Sequence, residues 1–148
     1  MNSLKKFLFA PARKVPGGAS LGLFVLRLTF SVALMTHGFA KAQNFEALAA
    51  GGFADPLGFG SGVAVSLAIF AELVCPLAVV FGFLARLAVL PPLVTMAVAF
   101  FEVHGGSLAN GELAFLHLAA FVSLFIAGPG RYSLDALIGR RFKVVGPR

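Results

Sequence analysis

The sequence predicts an all-α fold, an integral membrane four-helix bundle, and three observations lead there. The 148 residues are 59% hydrophobic and only 12% charged, with a mean hydropathy of +0.93, far from the balance of a water-soluble domain. The apolar residues fall into runs at about 21–42, 62–85, 87–101 and 113–127. No strand-like alternation crosses these runs, and lipid offers bare backbone no hydrogen-bond partner, so each run reads as a spanning helix. Residues 1–148 therefore form a single transmembrane domain with basic ends at 1–20 and 128–148.

Orientation follows from the basic residues. Lys5, Lys6, Arg13 and Lys14 precede the first run, Arg86 separates the second from the third, and Arg131, Arg140, Arg141, Lys143 and Arg148 follow the fourth. The opposite side carries only Lys41. Both termini are therefore expected in the cytoplasm. The net charge of +6, which in a soluble protein would suggest nucleic acid, is here a topology signal, and no nucleic-acid partner is expected. Arg27 and the long basic lead make the first run a retained span rather than a cleaved leader, despite the small-x-small pattern at Ala40 to Ala42.

After the first span, Asn44 is a candidate N-cap, Gly51-Gly52 a stop and Asp55-Pro56 a turn, which predicts a short surface helix. In the second span Pro76 has no N–H for the carbonyl of residue 72, so a kink is expected at Glu72; Pro91 and Pro92 act alike in the third. Gly82 and Arg86 leave room only for a tight hairpin between these spans. The third and fourth runs reach only about 22 Å at ~1.5 Å per residue, which sets Glu102 and Glu112 at the membrane surface. After the stop at Gly128-Pro129-Gly130, Ser133 caps a short interfacial helix that holds Asp135 in its first turn, with Arg131 as a local ionic partner.

Ionisable groups inside spans cost roughly 2.5–3.5 kcal/mol each on insertion scales, so they should face the bundle and find partners. Arg27 and Glu72 are expected to pair. On the first span Arg27, Ser31, Gly38 and Lys41 share a stripe bordered by His37; on the second Ser61, Val65, Ala68, Glu72, Cys75 and Val79 share a face. A second polar group gathers toward the outer side: His37, Glu102, His104, Glu112 and His117. Histidine suits metal ligation, axial haem ligation, or a proton and quinone site, and His37, Glu102, His104 and His117 form the candidate metal set. Cys75 is the only cysteine, so an internal disulfide and a CxxC relay are excluded within the chain.

The stretches "LRLTFSVALMTHGFAKAQNF", "AELVCPLAVVFGFLARLAVLP", "FFEVHG" and "NGELAFLHLAAFVSLFIAGPGRYSLD", taken in order, resemble the bacterial DoxX family over about residues 21 to 138. The resemblance implies a four-helix inner-membrane protein related to the DoxD subunit of a thiosulfate:quinone oxidoreductase. Arg27, His37, Lys41, Glu72, His104 and the GPGRYSLD segment match the family pattern. The expected function is a subunit of a redox system that exchanges electrons or protons with the quinone pool through a polar intramembrane pocket. Its catalytic candidates are Glu72, Arg27, His37, Lys41 and His117; its cofactor-binding candidates are His37, Lys41, Glu72, His104 and His117. Glu72 would carry protons, Arg27 would hold its charge, and His37 with Lys41 would meet an anionic or quinoid ligand. Quinone is the expected ligand, with haem or a metal as alternatives, and the lipid bilayer plus a membrane or peripheral protein, or a second copy of the chain, are the expected partners. The competing class is a non-catalytic scaffold or small-molecule binding protein in which the same groups only specify packing.

Overall fold

A computed structural model describes residues 16–141. Of the basic ends, Lys5, Lys6, Arg13, Lys14, Lys143 and Arg148 lie outside the described residues. Helix α1 spans Gly17–Gln43, α2 Ser61–Phe81, α3 Ala85–Val103 and α4 Leu108–Ala127, all four long and apolar enough to cross a membrane. A short helix α5, Leu134–Arg141, follows. There is no strand among the described residues. α1 packs on α2, α2 on α3, α3 on α4, and α4 back on α1, which closes an up-down-up-down bundle.

The bundle is apolar outside and keeps its few polar and charged spanning groups inside, among an apolar core. Val25, Val32, Leu67, Val74, Val94 and Ile126 are exposed, whereas Arg27, Ser31, Glu72 and His117 are 2% exposed or less. In lipid this arrangement is the stable one, because tails cover the apolar exterior while Arg27 and Glu72 find hydrogen-bond partners within the bundle. The core joins Leu34, Val79, Val89, Met96, Phe100 and Phe121 across all four helices. The stripe on α1 is inward as expected, with Arg27, Ser31 and Gly38 buried and Lys41 half-buried, although His37 is exposed.

Several boundaries differ from the sequence reading: α1 begins at Gly17 rather than residue 21, α2 stops at Phe81 rather than residue 85 because the left-handed Gly82 ends it, and α3 and α4 are longer than their apolar runs. α3 runs through Glu102 and α4 begins before Glu112, so each helix is close to 30 Å at about 1.5 Å per residue and needs no thinning of the bilayer. An acid was a poor end marker because both glutamates are exposed on the helix surface. At Pro76 the helix inserts a π turn, Phe70–Val74, in which the Cys75 amide reaches back to the Phe70 carbonyl. A proline that cannot serve the carbonyl of residue 72 is accommodated by shifting the ladder one residue. A second π turn, Ala99–Val103, ends α3. Pro91 and Pro92 sit in the first turn of the segment Leu90–Val98, where a missing amide is harmless.

The α1–α2 connection contains the short helix Phe45–Ala47 and a π turn Leu48–Gly52, ended at Gly51. Asn44 caps nothing with its side chain; its Nδ2 donates instead to the Ala40 carbonyl at 2.8 Å. Asp55 makes the expected turn by accepting from the amides of Phe59 and Gly60.

Candidate functional site

Two glycines set the register of α1 against α2. A Cβ on Gly38 would stand 2.7 Å from the carbonyl carbon of Glu72, and one on Gly82 would stand 2.7 Å from the Arg27 guanidinium. Only hydrogen fits at these crossings, so Glu72 lies level with Gly38 and Gly82 lies level with Arg27. The two levels are roughly 16 Å apart along α1 at about 1.5 Å per residue. The expected Arg27–Glu72 pair is therefore not formed, because the antiparallel register separates the two by about half the length of a spanning helix. Each charge finds a different partner.

At the level of Glu72 that partner is Lys41, one turn beyond Gly38, whose ammonium donates to the Glu72 carboxylate. The Lys41 side chain is 25% exposed and the Glu72 side chain 3%, so a carboxylate held inside the bundle is neutralised by a cation that still touches the outside. Beside the pair opens a cavity of about 270 Å³. Its polar lining is His37, Lys41, Glu72, His104, Asn110 and His117, and its apolar lining includes Leu34, Met96, Leu113 and Ala114. The three histidines thus meet around one cavity, with His37 at its exposed rim. Gly111 lets α4 press against His104, since a Cβ there would lie 2.9 Å from the His104 Cβ.

The histidines are oriented by backbone. His104 Nδ1 lies 2.6 Å from the Ala99 carbonyl and His117 Nδ1 2.9 Å from the Leu113 carbonyl. The His117 ring stands edge-on to Phe30 at 5.2 Å, and its buried Nε2 has no hydrogen-bond partner among the described residues. Glu102, from the candidate metal set, is exposed and does not line the cavity. Among the described residues no three His, Cys, Asp or Glu side chains group closely enough to hold a metal ion.

Arg27 belongs to a second, separate construction at the opposite end. It is 1% exposed, donates to the carbonyls of Pro129 at 2.5 Å and Tyr132 at 2.6 Å, and lies over the Phe24 ring at 5.5 Å. It does not line the cavity. Ser133 caps α5 through the Ala136 amide as expected. Asp135 turns away from Arg131 and accepts from the amides of Leu84 and Ala85, both at 2.8 Å, so it caps the start of α3 from across the chain. Its own amide donates to the Gly82 carbonyl at 2.9 Å. Burial pushes the Asp135 carboxyl above its ordinary range, while the amides of Ala85 and Leu84 and the charges of Arg27 and Arg86 pull it back. GPGRYSLD is thereby a clasp that ties the α2–α3 hairpin to α1.

Sequence reasoning missed Asn110, Gly111 and Met96 as cavity residues, and missed Asp135 as a long-range cap. Only the unusual density of polar and small residues in "NGELAFLH" and "GPGRYSLD" pointed to Asn110, Gly111 and Asp135, and nothing marked Met96. Cys75 is buried and free and lies outside the cavity lining.

No curated protein and no solved structure matches the chain. The DoxX family model matches residues 22–105, more than half of the chain, taking in Arg27, His37, Lys41, Glu72 and His104 but neither His117 nor the GPGRYSLD clasp. This multi-pass membrane protein belongs to the DoxX family.

Proposed function

We propose that the protein is the membrane-embedded quinone-binding subunit of a redox system in a bacterial inner membrane, with both termini cytoplasmic and α5 at the membrane surface. The observation that carries this reading is the Lys41–Glu72 pair in the wall of a cavity that three histidines share. A cavity of about 270 Å³ falls just under the roughly 300–1,000 Å³ of drug-sized sites, which suits one substituted ring with its tail left in lipid. Lys41 and the histidines would hold the ring oxygens, and Glu72 would take or give protons beside it. A quinone supplies two-electron, two-proton chemistry when bound; the electrons would pass to or from a partner protein. The resemblance to the DoxD subunit of a thiosulfate:quinone oxidoreductase points the same way.

Titration of the detergent-purified chain with a short-tailed benzoquinone and its quinol tests the reading. Saturable binding of at least one form, lost or weakened at least tenfold in Lys41→Met, is expected; no saturable binding of either form overturns it. Absorption spectroscopy and metal analysis of the same sample test haem and metal as alternative ligands, and a stoichiometric haem or metal would replace the quinone reading. If a correctly folded chain binds none of these, the polar groups serve packing alone.

A further inference from the structure

We infer that the cavity opens sideways into lipid, through a mouth between α1 and α4 in the outer half of the bilayer, and takes an amphiphile whose polar ring enters while its hydrocarbon tail stays in the membrane over Leu113; this rests on the quinone-site reading and the orientation proposed above. The lining sorts by exposure. Leu34, Glu72, Met96, Ala114 and His117 are buried and form the floor. The exposed lining residues, His37, Asn110 and Leu113, all belong to α1 and α4. Lys41, also on α1, is partly open, whereas the residues that α2 and α3 contribute are buried or half-buried.

The other seams of the bundle are shut at this level. Gly38 brings α1 against the Glu72 backbone of α2, and Gly111 brings α4 against His104 and Phe100 of α3; a Cβ on Gly38 would stand 2.7 Å from its neighbour and one on Gly111 2.9 Å. Between α2 and α3, Glu72 and Met96 are both buried. The seam between α1 and α4 is different. Its aromatic contact lies deeper, one turn beyond Leu113, where the Phe30 ring meets His117 edge-on at 5.2 Å. On the outer side of that contact the lining of both helices is exposed.

Depth decides what fills the mouth. α4 runs from Leu108 to Ala127, about 30 Å at ~1.5 Å per residue, which is the thickness of a hydrocarbon core. Leu113 therefore lies roughly 7.5 Å below the end of its helix, inside the hydrocarbon. Asn110 and Lys41 lie within one turn of their helix ends, at the surface. The mouth is thus polar at its outer edge and apolar below, where Leu113 is 53% exposed and Leu116, one turn on, continues the same lip. A solute from water would meet only the polar edge. An amphiphile satisfies both: its ring oxygens accept from Lys41 and the Asn110 amide, and its tail passes over Leu113 and Leu116 without leaving hydrocarbon.

The test places a nitroxide on Leu113→Cys in the full chain carrying Cys75→Ala, in lipid nanodiscs, and measures its collisions with oxygen, which dissolves in lipid, and with a nickel chelate, which stays in water. Val94→Cys on the outer face of α3 and Ala54→Cys in the α1–α2 connection are the lipid and water references; if the Leu113 variant does not fold, Leu116→Cys takes its place. Oxygen is expected to reach position 113 as freely as position 94, and the chelate as rarely. A saturating decyl-tailed benzoquinone should then lower oxygen collisions at 113 and not at 94, and its tailless parent should lower them less. Chelate access at 113 equal to that at 54, or a bound tail that leaves 113 unprotected, overturns the lateral mouth while leaving a quinone site standing. No saturable binding of either benzoquinone to the unlabelled chain overturns the site itself and the inference with it.

Discussion

Glu72 and Lys41 form a pair whose members are unequally placed, and the inequality predicts unequal mutants. Lys41→Met leaves a carboxylate that is 3% exposed without its cation, and breaking a buried pair in this way costs roughly 3–5 kcal/mol. Glu72→Gln leaves a lysine that is 25% exposed and can turn its ammonium toward water. Thermal unfolding in detergent should therefore show the larger drop for Lys41→Met. Arg27→Met should cost roughly 2–4 kcal/mol, because it strips the carbonyls of Pro129 and Tyr132 of charged donors. Since Arg27 and Glu72 share no partner, a double-mutant cycle between them should be additive within about 0.5 kcal/mol; a coupling well above that would restore the pair that charge complementarity alone suggests. Both residues were legible in the sequence as buried charges. Their pairing was not, because it depends on where two glycines cross, and a close crossing leaves no mark in composition.

At the scale of elements, glycine and proline decide how the helices meet. Gly38→Ala would drive a Cβ to 2.7 Å from the Glu72 carbonyl carbon, against backbone that cannot swing aside, so α1 and α2 must separate and Lys41 must leave Glu72. A loss of roughly 1–3 kcal/mol is expected, accompanied by weaker ligand binding. Gly22→Ala, on the same helix with nothing within 4 Å, should be neutral or slightly stabilising. Asp135→Ala removes the acceptor for the Leu84 and Ala85 amides and should cost about 1–2 kcal/mol, the usual value of a lost cap. Helix existence, the hairpin at Gly82 and the Ser133 cap were all readable from periodicity and turn residues. The π turns were not: Pro76 announced a break in the ladder, but a missing amide alone does not say whether the chain bends or adds a residue.

For the whole molecule, the polar and charged groups held inside the apolar bundle form two constructions separated by depth: a clasp around Arg27 and Asp135 at one end, and a cavity around Glu72 and the histidines toward the other. An even number of crossings brings both ends of the bundle to one side, and the orientation proposed above puts that side in the cytoplasm. A reporter that is active only outside the cytoplasm should therefore work when fused at Asp55 and fail at the C-terminus. Fold class was visible in hydropathy alone, whereas the cavity needed tertiary structure, because its lining comes from α1, α2, α3 and α4 and from residues as unremarkable as Met96 and Ala114. Photolabelling with a short-tailed azidoquinone, followed by mapping of the adducts, tests that cavity most directly. The expected result is labelling confined to cavity residues such as Met96, Leu113 and His117 and displaced by excess quinol. Adducts scattered over lipid-facing residues such as Val94 and Ile126, and not displaced, would contradict it.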